Sequence, residues 1–273
     1  MRVKKRIRIK WKNLISLLIT YVLIILIIVC TIKIVKWKLD SDKTKNQTTD
    51  LNEPSELSDT KNEEIIEQDD IPKEDPYWDY INMNLIDVDI TELKKKNNDI
   101  VGWIQLNGTN INYPFVQGSD NKYYLDHSLD RNKNAAGWVF MDYRNDITSD
   151  KNIILYAHSR LDNTMFGTLK NILSSKWVNN TDNYIVKMVT EDESSLWQIF
   201  SIYRIPTTSD YLQIDFSTDE SYQRLLNTLI SRSQFDFNTT VNSKDRILTL
   251  STCYGYDTER VVLHAKLIKR KQK

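Results

Sequence analysis

The chain has 273 residues, 37 basic and 37 acidic side chains, and a formal net charge of zero. Its hydrophobic fraction of 40%, with 7 Trp and 14 Tyr, is enough for one sizeable core or at most two small ones. With 6 Gly, 5 Pro and 2 Cys, collagen-like, disulfide-framework and wholly disordered readings are excluded. The zero net charge hides a sorting of charge along the chain. Residues 1–38 carry 10 Lys and Arg and no acid; residues 39–76 carry 13 acids and 4 Lys; the remainder is nearly balanced.

Residues 13–32 form an uncharged run dominated by Leu, Ile and Val. A helix rises about 1.5 Å per residue, so twenty such residues cross a hydrocarbon layer of about 30 Å. Seven basic residues precede the run, from Arg2 to Lys12, and only Lys33, Lys36 and Lys38 follow closely. This asymmetry predicts a single-pass anchor over 13–35, with residues 1–12 as a cytoplasmic tail and everything beyond outside the cell. Trp11 and Trp37 flank the run at interfacial depth. A cleaved signal peptide is the alternative, but it would have a shorter apolar stretch and a small-residue cleavage site, and Thr31–Lys36 offers none.

Residues 36–76 are acidic, polar and, beyond Trp37, free of aromatics, which predicts a flexible stalk. Aromatics begin at Tyr77, where a folded domain over 77–273 is expected. Asp89-Ile-Thr-Glu92 has the pattern of a capping box opening a short helix through Lys96. Eight strand-like runs follow, at 101–106, 111–116, 137–142, 153–157, 184–189, 197–205, 247–253 and 260–268. Asn107-Gly108 between the first two signals a type I′ hairpin. Between the sixth and seventh runs, Tyr222, Leu225, Leu226 and Leu229 recur at helical spacing within 220–231. Many short strands with one inserted helix predict a mostly β barrel or sandwich.

Cys30 lies in the apolar run, so Cys253 is the only cysteine of the exported part and has no intrachain disulfide partner. A solitary exported thiol is either a buried core residue or a reactive one. Cys253 ends its strand, on the face shared by Ile247, Thr249 and Ser251, beside the turn-like 254–257. A nucleophile at a strand end is within reach of substrate, whereas a core cysteine is more often mid-strand. Its thiolate needs a base or cationic partner. Three histidines compete. His158 ends the apolar run 153–157, His127 follows a polar segment, and His264 sits inside Val261-Val-Leu-His-Ala265, where a structural role fits better. Strand-end position favours His158. Arg260 opens the strand after the Cys253 loop, where it could stabilise an oxyanion or be a plain surface arginine. There is no GxGxxG, P-loop, HExxH, CxxC or GxSxG pattern, and no basic patch for nucleic acid beyond the N-terminal tail. No metal or cofactor is expected.

At Thr249-Leu-Ser-Thr-Cys253, with Arg260-Val-Val-Leu-His-Ala-Lys-Leu267 after it, the chain resembles the sortases. That family carries a TLxTC signature, an upstream histidine and an arginine on the strand after the cysteine. Asn134-Ala-Ala-Gly-Trp-Val-Phe-Met-Asp-Tyr-Arg-Asn145, Leu155-Tyr-Ala-His-Ser159 and the helix between strands six and seven resemble class B members. The resemblance implies an eight-stranded β-barrel with N-terminal helices, and a cysteine transpeptidase that uses no cofactor. In it Cys253 is the nucleophile, His158 the general acid/base and Arg260 the oxyanion or substrate stabiliser. By position, Asn121, Leu125, Thr207, Tyr211, Leu212 and Ser251 match residues lining the class B substrate groove.

Implied partners are surface proteins bearing a C-terminal sorting signal of the NPxTN or S/NPxTG type, and a peptidoglycan or lipid II amine that accepts them. The chain ends in Lys269-Arg-Lys-Gln-Lys273 without such a signal, so it is not expected to be its own substrate. Two other readings remain: a membrane-anchored cysteine peptidase that uses the same residues but only hydrolyses, and a non-enzymatic ectodomain, a receptor or scaffold in which Cys253 is a buried core cysteine.

Overall fold

The computed structural model describes residues 10–51, 53–57, 61–66, 71, 75–253 and 258–273, with Cys253 described in its backbone alone. The chain divides into two units, Met1–Lys43 and Thr44–Lys273. In the first, helix α1 (Trp11–Thr49) begins and carries the apolar run with its Leu, Ile and Val side chains exposed. By length and composition this helix can cross a membrane.

In the second unit, short helices α2 (Tyr77–Tyr80) and α3 (Ile90–Lys94) precede the barrel. Asp89 caps α3 by accepting the Glu92 backbone N–H at 2.8 Å. Eight strands follow: β1 (Ile100–Leu106), β2 (Asn112–Val116), β3 (Phe140–Met141), β4 (Asn152–His158), β5 (Ile185–Thr190), β6 (Glu193–Pro206), β7 (Ile247–Cys253) and β8 (Glu259–Gln272). They pair in the order β7-β4-β3-β2-β1-β5-β6-β8, and β8 pairs back onto β7, so the ring closes. Closure pairs each of the eight with two neighbours, while the end of β8 past Lys266 runs beyond β7. Two pairings are parallel, β2 with β3 and β4 with β7. Helix α4 (Ser175–Val178) lies between β4 and β5, and α5 (Asp219–Arg232) between β6 and β7.

Alternation decides what faces inward. Leu248 and Leu250 of β7 join the barrel core with Trp103, Trp138 and Trp197. Each of those indoles keeps a hydrogen bond, to Asn112 Oδ1, Pro114 O and Ser195 Oγ respectively. On the outer surface, α5 buries Tyr222, Leu225, Leu226 and Leu229 against Phe200, Tyr203, Ile247 and Val262. Thr218 and Ser221 close a reciprocal capping box at its start. Strands β6, β7 and β8 are therefore buried on both faces along much of their length.

Two local expectations change. The 107–111 connection is longer than a two-residue hairpin, and only Gly108 in it has a positive φ, of 67°. A type I′ turn needs positive φ at both central residues. Asn107 instead donates its side-chain amide to the Asp182 carbonyl, and a Cβ on Gly108 would meet Asn183 Oδ1 at 2.2 Å. The glycine serves a close approach as well as a turn.

The segment 36–76, read from sequence as a flexible stalk, contributes structure. Helix α1 continues to Thr49, Ser55–Glu56 pairs with Ile86–Asp87, and Glu63–Ile65 pairs antiparallel with the end of β8. The physical reason is charge matched to a free strand edge. Glu63 lies 2.9 Å from the buried Lys269 Nζ and Glu64 2.7 Å from Arg270 Nε, so acids of this segment meet the basic C-terminus. The Arg270 hydrogen bond holds the Glu64 carboxyl below its ordinary pKa.

Candidate active site

Strand register gathers the sequence candidates. Along the parallel β4–β7 pair, Ser251 lies beside Tyr156 and Cys253 beside His158. On the other side of β7, the antiparallel ladder pairs Ser251 with Val262. Two residues further in the same register, position 253 falls opposite Arg260. Cys253, His158 and Arg260 thus occupy three adjacent strands at one end of the barrel. The β4–β7 pairing joins residues ninety-five positions apart, whereas the β7–β8 pairing is local.

His158 is held by its surroundings. Its Nε2–H donates to the Leu125 carbonyl at 2.7 Å, which fixes the ring and leaves Nδ1 as the basic nitrogen. Its own carbonyl accepts the Phe166 N–H at 3.1 Å. The turn after it is locked by Arg160, which is buried and bonded to Asp162 and Thr164. Leu125, expected as a groove residue, is outside the groove lining described below and meets His158 through its backbone carbonyl.

The other histidines lie elsewhere. His127 stacks on Tyr123 at 4.0 Å, with Nδ1 2.7 Å from Asp126. His264 is fully buried and pairs with Thr249, four residues before Cys253. At about 3.3 Å per residue that is roughly 13 Å along the strand. Burial first, and the nearby Arg232 second, push the His264 pKa down to about 3.

Against the outer face of β4 and β7 lies a groove of about 410 Å³, lined by Tyr156, Thr207, Thr208, Ser209, Tyr211, Leu212, Ser251, Thr252 and Arg260. Four of the six sequence-expected groove residues, Thr207, Tyr211, Leu212 and Ser251, line it together. Tyr211 and Ser251 share a hydrogen bond of 2.9 Å between hydroxyls. Asn121 is apart from this lining; its Oδ1 accepts the Tyr143 N–H at 3.0 Å. On the other side of Arg260 and Thr252 is a smaller cavity of about 110 Å³, lined also by Ser159, Lys170, Arg204 and Glu259.

Sequence reasoning missed Tyr156 and its support. Tyr156 donates its hydroxyl to Asp142 at 2.9 Å, and the buried Asp142 is gripped bidentately by Arg144 at 2.9 and 2.8 Å. Burial pushes the Asp142 carboxyl up, but the bonds from Arg144 and Tyr156 outweigh it and hold it below the ordinary range. Alternation was the available signal, since Tyr156 is two residues before His158 and so on the same face.

Residues 104–268 match the family model of the sortase domain. The chain is 39% identical to sortase B of Staphylococcus aureus over 181 residues, which is 65% of this chain and 73% of that protein. It is 35% identical to sortase B of Listeria monocytogenes over 188 residues, covering 66% and 74% respectively. Among solved structures, the Staphylococcus aureus sortase B–substrate complex superposes with a TM-score of 0.62 at 38% identity, covering 66% of this chain and 84% of that one. Sortase B of Clostridium perfringens does so with a TM-score of 0.61 at 37% identity, covering 65% and 98%. A closed eight-stranded barrel with cysteine, histidine and arginine at adjacent strand ends, matched over this span, shows that the chain belongs to the sortase family, among its class B cysteine transpeptidases that anchor proteins to the cell wall.

Proposed function

We propose that the enzyme cleaves a C-terminal sorting signal of the NPxTN or S/NPxTG type after its Thr, and joins the new carboxyl end to a peptidoglycan or lipid II amine. The observation that carries this reading is the β4–β7–β8 register, which aligns positions 158, 253 and 260 on adjacent strands, with Arg260 in the groove lining. The Cys253 thiolate attacks the Thr carbonyl carbon and Arg260 stabilises the oxyanion. The C–N bond breaks as His158 gives its proton to the departing amine, leaving a thioester. The acceptor amine then attacks, returns a proton to His158, and the C–S bond breaks to regenerate the thiolate. Thr207, Tyr211, Leu212 and Ser251 hold the signal peptide, with Asn121 and Leu125 at its flank.

The charge asymmetry around residues 13–32 supports an N-terminal tail in the cytoplasm, an anchor over 13–35 and a catalytic domain outside the membrane. The test is a quenched fluorogenic peptide of the NPxT type, with and without added triglycine. Wild type should release fluorescence and form a triglycine adduct, and Cys253→Ala should do neither. Cleavage with water as the only acceptor would favour the hydrolytic alternative.

A further inference from the structure

Segment 207–213, between β6 and α5, carries Thr207, Tyr211 and Leu212 into the groove, yet it has no regular secondary structure. Its carbonyls are bonded one after another. Asn152 Nδ2 donates to Gln213 O at 2.9 Å and to Tyr211 O at 3.4 Å. Arg144 donates to Leu212 O at 3.2 Å. Arg232 grips the Asp210 carboxylate with both terminal nitrogens.

Two of these anchors are joined through the protein interior, and the chemistry fixes the direction of every bond. Carbonyls only accept, so the Asn152 amide nitrogen must face them, and its Oδ1 must face Thr249. Thr249 therefore donates its hydroxyl to Asn152 Oδ1, at 2.7 Å. With that proton committed, Thr249 Oγ1 accepts from His264 Nδ1 at 2.9 Å. The neutral ring then presents Nε2 as an acceptor to the Tyr203 hydroxyl at 2.8 Å. Arg232 lies over the Tyr203 ring, 6.0 Å from its centroid. Asn152, Thr249 and His264 are fully buried, and Tyr203 nearly so.

We infer that Asn152, Thr249, His264 and Tyr203 form a one-way hydrogen-bond relay that positions segment 207–213 and so sets how tightly the donor peptide is held. It runs from Tyr203 to Asn152; Asn152 grips the segment directly, and Arg232, set over the Tyr203 ring, holds Asp210 of the same segment. These are positioning residues, since the relay acts on the groove and lies roughly 13 Å along β7 from Cys253. The inference rests on the groove reading given above.

Thr249→Val is nearly isosteric but leaves His264 Nδ1–H and Asn152 Oδ1 unpaired, whereas Thr249→Ser keeps the hydroxyl. With the fluorogenic NPxT peptide, Thr249→Val should raise KM about tenfold with kcat within about threefold, and Thr249→Ser should restore KM. Amide exchange in 207–213 should quicken about tenfold in Thr249→Val while β4 and β7 keep their protection. Tyr203→Phe, which removes the donor to His264 Nε2, should give the same pattern and decides the matter if Thr249→Val does not fold. An unchanged KM, or a fall in kcat at constant KM, would overturn the inference. If wild type fails to cleave the peptide, the proposed function falls, and exchange in 207–213 still decides whether the relay holds the segment.

Discussion

Acidification should weaken the folded barrel through a histidine that lies away from the candidate triad. His264 is fully buried among Phe200, Tyr203 and Tyr211, with both ring nitrogens bonded, and in the fold it takes up a proton only near pH 3. In the unfolded chain the same ring titrates at about 6.5. Below that value the unfolded state binds the extra proton, so stability is full above pH 6.5 and falls as pH drops toward 3. At about pH 5 the difference is roughly 1.5 pH units, or about 2 kcal/mol. Lys266, lowered by burial to about 8, changes stability only between its ordinary value and that point, above this window. Asp142, held below the ordinary carboxylate range, titrates beneath it. The assay is urea unfolding of the chain from Thr44 onward, followed by fluorescence of its buried indoles, at about pH 7.5 and about pH 5. With a slope of about 2–3 kcal/mol per molar urea, the midpoint should fall by roughly 0.7–1 M. His264→Gln should remove that part of the drop. Equal drops in wild type and variant would refute the reasoning.

Three further outcomes follow from the site. His158→Ala should cut turnover by about 10²–10⁴-fold, while His127→Ala should stay within a few-fold, both read on the fluorogenic peptide with circular dichroism as the folding check. Arg260→Lys separates two roles: if the guanidinium binds the oxyanion through paired donors, Lys should be nearly as poor as Ala, and if it only supplies positive potential, Lys should keep much of the activity. A chain beginning at Asp75 should be less stable than one beginning at Thr44 by about 1–3 kcal/mol in urea titrations, because it loses Glu63–Ile65 and leaves Lys269 without its carboxylate.

The eight strands and α5 were legible because each announces itself locally, by apolar runs or by 3.6-residue spacing. The Asp89 cap was legible for the same reason. The Asn107-Gly108 turn was misread because its geometry is set by Asn183 and Asp182, some seventy-five residues on. Glu63–Ile65 was read as stalk because composition reports what a segment can bury by itself. It says nothing of a strand edge and a cationic row supplied by residues 269–271. The candidate triad was named from strand-end position and resemblance, but what assembles it is the parallel register of β4 on β7, and no local signal encodes register between strands ninety-five residues apart. Tyr156, Asp142 and Arg144 were missed because each looks like ordinary core or surface until that register places Tyr156 beside Ser251.

The arrangement also explains why the site is outside a barrel that has a filled interior. Leu248, Leu250 and Leu263 occupy the inward positions, so chemistry must use the outer face of the same strands. Outward residues of β7 would normally meet solvent, but α5 covers Ile247 and segment 207–213 covers Ser251. Thr249 lies between them and is spanned by His264, Asn152 and Tyr203 rather than by apolar packing. Moving along β7, the outer face therefore changes from apolar at Ile247, to hydrogen-bonded at Thr249, to groove wall at Ser251, two residues before Cys253. Each step is two residues, about 6.6 Å. The strands place positions 158, 253 and 260 by backbone pairing alone, whereas the groove wall depends on side-chain bonds to segment 207–213. Substitutions in that segment can thus reshape the groove while the register that aligns positions 158, 253 and 260 stays as it is.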